Sequence, residues 1–233
     1  MLSFKQFLFE GVHDKGIFHA VFMAGAAGSG KDTIMNKVLA GHGLREINSD
    51  HALTHAMKQH NLDLKMPDSE QPQRDLVRAK AKATTDVKKK LSLEGRNGII
   101  INGTGHDHEH IAKLKDHVES LGYKTHMLYV HADDDTSKKR NILRGQLGGR
   151  TIPEKVRSEI WNKVHDNKAH YEKMFGKDFH HVDNSMDIGK ASAEEKQSQQ
   201  KHLDKLHKHF RKEVESKKFT PLAQNWIDNR LRK

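Results

Sequence analysis

The chain has 233 residues, no cysteine and a formal net charge of +10, with 34% hydrophobic and 31% charged residues. That composition allows one core of about 150–190 residues plus an appendage. It excludes disulfides and thiolate chemistry, and no run approaches the roughly 20 apolar residues of a membrane span. The positive balance favours polyanionic company such as nucleotides, nucleic acid or sugar phosphates.

In chain order, MLSFKQFLFEG reads as a short amphipathic helix that would pack through Phe4, Phe7 and Leu8. Ile17 to Ala24 predicts a buried strand and Lys31 to Ala40 a helix. Leu44 to Asn48 suggests a second strand, with helical sequence from about His51. After a break at 61–72, marked by Pro67 and Pro72, a long helix carries Leu76, Ala79, Ala83, Val87 and Leu91 on one predicted inner face. GIIING, 98–103, is a third strand. Asp107 caps a helix whose apolar residues are Ile111, Leu114, Val118 and Leu121. YKTHMLYVHA is a fourth strand, and the aspartates at 133–135 open another helix.

RNILRGQLGGRT follows as a mobile-looking glycine and arginine segment. Thr151 and Glu154 then predict a capping box with Pro153 in the first turn, and Val156, Ile160 and Val164 an inner face. DFHHVDNS, 178–185, supplies a fifth strand and its exit loop. Strands alternating with helices predict an α/β fold with a parallel five-stranded sheet flanked by helices. After Gly189 the composition turns to Lys, Gln, Ser and Glu, so 190–218 reads as an exposed helix or partly ordered linker with a thin stripe of Leu203, Leu206 and Phe210. Leu222, Trp226, Ile227 and Leu231 could dock on a surface. The expected division is an N-terminal segment 1–16, a core 17–189 and a basic helical tail 190–233.

GAAGSGKDT, 25–33, lies between the first strand and helix and fits G-x-x-x-x-G-K through Gly25, Gly30 and Lys31. Glycines here, with Gly28 and Ser29 between them, let main-chain N–H groups point at a phosphate, and the helix adds the positive end of its dipole. Lys31 would reach the β- and γ-phosphates. Asp32 stands where a hydroxyl usually touches Mg²⁺; it can ligate the ion or hold one of its waters, and Thr33 is the alternative ligand. Asp50, two residues past the second strand, can cap the next helix or act as the base that orients and deprotonates an acceptor, and its place at the sheet edge favours the base. Arg140, Arg144 and Arg150, around Gly145, Gly148 and Gly149, read as a hinged lid that brings guanidinium groups to the transferring phosphoryl; surface salt bridges are the alternative.

Taken together, GSGKDT, INSD, IIINGT, KKRNILRG and GRTIPEKV resemble the P-loop kinases that include bacteriophage polynucleotide kinase and the zeta toxins, over about residues 17–185. The resemblance implies a P-loop kinase core using ATP and Mg²⁺, with Asp50 as base, Lys31 on the phosphates and the three arginines in the lid. It also puts Asn184 and Ser185 near adenine, and Asn102 and Thr104 toward the substrate. Two positions depart from the pattern. Leu53 stands where the polynucleotide kinase has a phosphate-gripping arginine, and Asn102 where zeta toxins carry a substrate-facing glutamate.

His106, His108 and His110 have no recognised metal-ligand spacing, and their place beside the third strand points instead to substrate contact by His106 or Asp107. The expected acceptor is a hydroxyl of a nucleotide, a nucleic-acid 5′ end or a nucleotide sugar. The N-terminal segment also resembles capsid-targeting peptides of tailed phages, cleaved after Leu-x-Glu, here Leu8-Phe9-Glu10. That resemblance implies a phage protein of the host cytoplasm, or one packaged in the virion. The alternative function is a packaged, basic nucleic-acid-binding protein that uses the lysine-rich tail and keeps a vestigial or regulatory nucleotide core.

Overall fold

A computed structural model describes residues 11–232. The readings placed on residues 1–10, the amphipathic helix and the targeting peptide, lie outside the described residues. The elements run β1 (His19–Ala24), α1 (Lys31–Leu39), β2 (Arg45–Ile47), α2 (Ser49–Gln59), α3 (Gln71–Glu94), β3 (Ile99–Asn102), α4 (His108–Ser120), β4 (Lys124–His131), α5 (Asp134–Gln146), α6 (Glu154–Asp166), α7 (Lys168–Phe175), β5 (Phe179–Asp183), α8 (Ala193–Glu215) and α9 (Pro221–Leu231). The sheet order is β2-β3-β1-β4-β5, and every pairing is parallel.

All five strands therefore end at one edge of the sheet. The central strand β1 has β3 on one side and β4 on the other, so the loop after β1 opens at the point where strand order reverses, which is where open α/β sheets form their ligand crevice.

β1 is buried along its whole length because both its faces are covered. Ala20, Phe22 and Ala24 join Met127, Tyr129, Tyr171 and Phe175 in one core. On the other face, Val21 and Met23 join Ile34, Val38, Leu128 and Val130. A third cluster, built from Leu53, Met57, Val77 and Ala81, ties α2 to α3.

Three sequence expectations need correction. The inner face of α3 is not the leucine row: Leu76 is 69% and Leu91 61% exposed, whereas Arg74, Val77, Ala81 and Ser92 are buried. Two polar residues on that side find partners, Arg74 in Pro67 O at 2.8 Å and Thr85 in Ala81 O at 2.8 Å, so counting apolar residues picks the wrong side. The expected Thr151 capping box does not form. Pro153 is the N-cap of α6 and Glu154 turns to Arg157, accepting from its Nε and Nη2 at 2.9 Å each. The third correction concerns the tail. Leu203, Leu206 and Phe210 of α8 enter the same cluster as Val38 of α1, so this helix covers a sheet face instead of standing in solvent. Its start carries the reciprocal box that Thr151 lacks, between Ser192 and Glu195. Among the described residues no helix is long and apolar enough to cross a membrane.

Candidate active site

The loop after β1 enters α1 at Lys31. Gly28 and Gly30 have φ of 83° and 81°, and an added Cβ would meet Ser137 O at 2.3 Å and Asn184 Nδ2 at 2.4 Å. Left-handed backbone and close approach each require glycine at these positions. Ser137 of α5 also pins the loop from outside, donating through Oγ to Ala27 O at 2.6 Å. Ser29 is buried, and its Oγ has no hydrogen-bond partner among the described residues. Lys31 Nζ is folded back on the loop, donating to Gly25 O at 2.6 Å and Ala26 O at 3.4 Å. Loss of water holds the Lys31 ammonium below the usual lysine range, against the pull of the Asp32 and Asp50 carboxylates. A cation disfavoured in this way gains from an incoming anion.

Asn48 is the N-cap of α2, its Oδ1 accepting from Asp50 N at 2.8 Å. Asn48 does the capping, and the Asp50 carboxylate faces the cleft, where Arg150 Nη2 meets it at 2.8 Å. The cleft holds about 600 Å³ and is lined by Gly28, Gly30, Lys31, Asp32 and Thr33 on one wall and by Asp50, Asn102, Thr104 and Arg144 around them.

The glycine and arginine segment lies across this cleft. Thr151 N donates to Leu64 O at 2.9 Å, and the Asn141 side chain grips both Ile152 O (2.8 Å) and Ile152 N (3.1 Å). Arg144 Nη2 reaches Asn141 Oδ1 at 3.0 Å. Arg140 borders the cleft differently, because its Nη1 donates to Asn184 O (2.8 Å) and Gly28 O (3.4 Å) and its Nη2 to Met186 O (3.2 Å). It joins the phosphate loop to the exit of β5.

Asn184 completes that junction, Nδ2 donating to Ser29 O at 2.8 Å. Ser185 does not line the cleft; its Oγ accepts from Asp133 N (2.9 Å) and donates to Asp183 Oδ1 (2.6 Å) at the start of α5. His106 is also outside the cleft lining, its Nδ1 2.6 Å from Thr104 Oγ1.

Two features escaped the sequence reading. Asn102, standing where an acid was expected, donates through Nδ2 to Asp32 Oδ1 (3.1 Å) and to Glu46 Oε1 (2.7 Å). Asn48 donates to the same Glu46 oxygen at 2.9 Å. Asn102 and Asn48 thus share a carboxylate of the neighbouring strand β2, one that does not itself line the cleft. The second is a polar wall formed by Thr54 and Lys58 of α2. The signal was present, since Asp50, Thr54 and Lys58 recur every four residues on one helical face.

The donors fit a nucleotide with Mg²⁺. Glycines leave a cradle that any Cβ would fill, a buried hydroxyl lacks a partner, and Asp32 and Thr33 offer the oxygen ligands that Mg²⁺ prefers.

Comparison with solved structures shows where the fold recurs. A structure from the PezAT chromosomal toxin–antitoxin system of Streptococcus pneumoniae superposes with a TM-score of 0.56 at 18% identity, covering 88% of this chain and 96% of that one. A proposed kinase from Chloroflexus aurantiacus gives 0.55 at 13% identity, covering 82% and 97%. At these identities the likeness is one of fold. No curated protein matches the chain. The family model of the AAA domain matches residues 21–168, more than half of the sequence, and the chain belongs to that family.

Proposed function

We propose that this protein is an ATP-dependent phosphotransferase that moves the γ-phosphoryl group to a hydroxyl of a nucleotide, a nucleic-acid 5′ end or a nucleotide sugar. The observation that carries the reading is the meeting of the Lys31 loop, the Asp50 carboxylate and the Arg144 and Arg150 guanidiniums in one cleft. Main-chain N–H groups of residues 25–31 hold the triphosphate, and Lys31 leaves its loop carbonyls for the β- and γ-oxygens. Asp32 and Thr33 are the residues that would hold Mg²⁺, which when bound neutralises phosphate charge.

Substrate phosphate competes for Arg150 and so releases Asp50, which takes the acceptor's hydroxyl proton. The acceptor oxygen bonds to the γ-phosphorus as the bond from that phosphorus to the β–γ bridging oxygen breaks. The products are ADP, the phosphorylated acceptor and a proton left on Asp50. Arg144 and Arg150 stabilise the charge spread over the transferring group.

A labelled-ATP screen against nucleosides, oligonucleotides with free 5′-hydroxyls and UDP-sugars identifies the acceptor. Asp50→Asn is expected to lower transfer by about 10²–10⁴-fold while sparing ATP binding; transfer at the native rate would remove Asp50 from the mechanism. A second reading is favoured by the exposed Lys201, Lys205, Lys208 and Lys212 of α8, which suit a nucleic-acid contact beside a vestigial or regulatory core. It requires salt-dependent DNA binding that charge reversal of those lysines abolishes, together with no product in the screen. A phage origin and packaging rest on the resemblance of residues 1–10, and an uncut N-terminus in virion protein would remove the cleavage reading.

A further inference from the structure

Nineteen histidines are spread along this chain, and three of them converge away from the cleft. His126 comes from β4, His180 from β5 and His209 from α8, and one ring nitrogen from each lies within 4.8 Å of the other two. Their rings also pack on one another and on Phe210: His180 and His209 have centroids 4.8 Å apart, and His126 lies edge-on to Phe210 at 5.4 Å.

Packing alone does not account for them. Nδ1 and Nε2 of His126, Nε2 of His180 and Nε2 of His209 are buried atoms with no hydrogen-bond partner among the described residues. Four orphaned nitrogens in one place are a standing cost, because a buried imidazole normally satisfies at least one nitrogen. From these contacts we infer that His126, His180 and His209 form a site for a divalent transition metal of the zinc class, fastening α8 to the β4–β5 edge of the sheet.

Three imidazoles are borderline-soft nitrogen donors, which suit Zn²⁺, Ni²⁺ or Cu²⁺ and not Mg²⁺ or Ca²⁺. Around tetrahedral zinc, nitrogens at about 2.0–2.1 Å from the ion stand roughly 3.4 Å apart, so small side-chain rotations close the triangle. Ligation needs neutral rings with a free lone pair. Burial pushes His126 down to about 2 and His180 down to about 4, with the neighbouring histidines adding to it. Asp178 Oδ1 lies 3.5 Å from His126 Nδ1, where a carboxylate orients a metal-bound imidazole from behind. Beyond the rings, Lys124 pairs with Glu213, which leaves little net charge to repel a cation.

The site is independent of the phosphotransferase reading, and its test does not use activity. Full-length protein stripped with a chelator is titrated with ZnCl₂ by calorimetry and its melting followed with and without EDTA. One bound zinc, a raised Tm that EDTA reverses, and a strong tetrahedral absorption band when Co²⁺ is substituted are expected. His209→Ala and His180→Ala should each weaken zinc binding at least tenfold, and His106→Ala with His110→Ala should leave it unchanged. No zinc uptake, a weak octahedral Co²⁺ band, or binding that survives His209→Ala and falls in the loop variant would each overturn the site. Where a variant does not fold, the Co²⁺ spectrum of the unaltered chain decides.

Discussion

Ser137 has no exposed surface, and around it three elements meet. Its Oγ donates to Ala27 O of the phosphate loop at 2.6 Å and accepts from Arg157 Nη1 at 2.9 Å. Arg157 is itself fully buried, its charge met by Asp134 at 2.7 Å and by both Glu154 oxygens. The loop's curvature is therefore fixed from behind by a charged network, and Gly28 is the point of closest approach. Gly28→Ala forces a Cβ toward Ser137 O and a left-handed φ on an L-residue at once. A loss of about 1–3 kcal/mol is expected, readable as a lowered urea midpoint at unchanged m. ATP affinity should fall as well, because the displaced main chain no longer presents its N–H groups together; a variant as stable as the parent would show that the loop yields freely.

At the scale of elements, what the sequence shows depends on whether a helix's inner face is apolar. The stripe of Leu203, Leu206 and Phe210 was legible in α8 because helical periodicity needs no partner to be visible, but nothing in the chain says that Val38, Leu128 and Val182 wait beneath it. The α3 face was not legible, since its buried residues include Arg74 and Ser92, which a search for apolar periodicity passes over. Phe210 is 1% exposed and packs against His126, His180 and His209 as well as the sheet. Phe210→Ala is expected to cost about 3–5 kcal/mol, and removal of residues 190–216, which takes away α8 with its contacts to Val38 and Leu128 but not α9, should lower solubility and melting temperature by uncovering that face of the sheet. A truncated chain that melts like the parent would return α8 to the status of an appendage.

For the whole molecule, parallel order explains why most of the candidate site could be found in advance. Every strand's carboxyl end lies at the same edge, so the residues just past β1, β2 and β3 had to meet, whatever the helices did. Glu46 lies within its strand and meets cleft residues through its side chain, bonded by Asn48 and Asn102 and 3.9 Å from His51 Nε2, which strand endings do not reveal.

The same burial that orders the sheet also sets its response to acid. In the metal-free fold, burial keeps His126 and His180 neutral, at about 2 and about 4, against about 6.5 when unfolded. The folded values are depressed, so below pH ~6.5 the unfolded chain takes up protons that the native rings refuse. Stability from this pair is complete above pH ~6.5. It drains as pH falls toward 4 and, for His126, continues below. Asp133, Asp183 and Glu213, held below the usual carboxylate range by hydrogen bonds that outweigh their burial, with Lys124 as the partner of Glu213, add loss of the same sign at lower pH. Urea midpoints in EDTA are expected to fall steadily from pH 6.5 to 4.5, with more than about two extra protons bound on unfolding because burial also holds His19, His42, His106 and His181 below the usual histidine range, and His126→Leu should flatten the slope by about one. Midpoints level across that range would mean that both rings charge freely inside the fold.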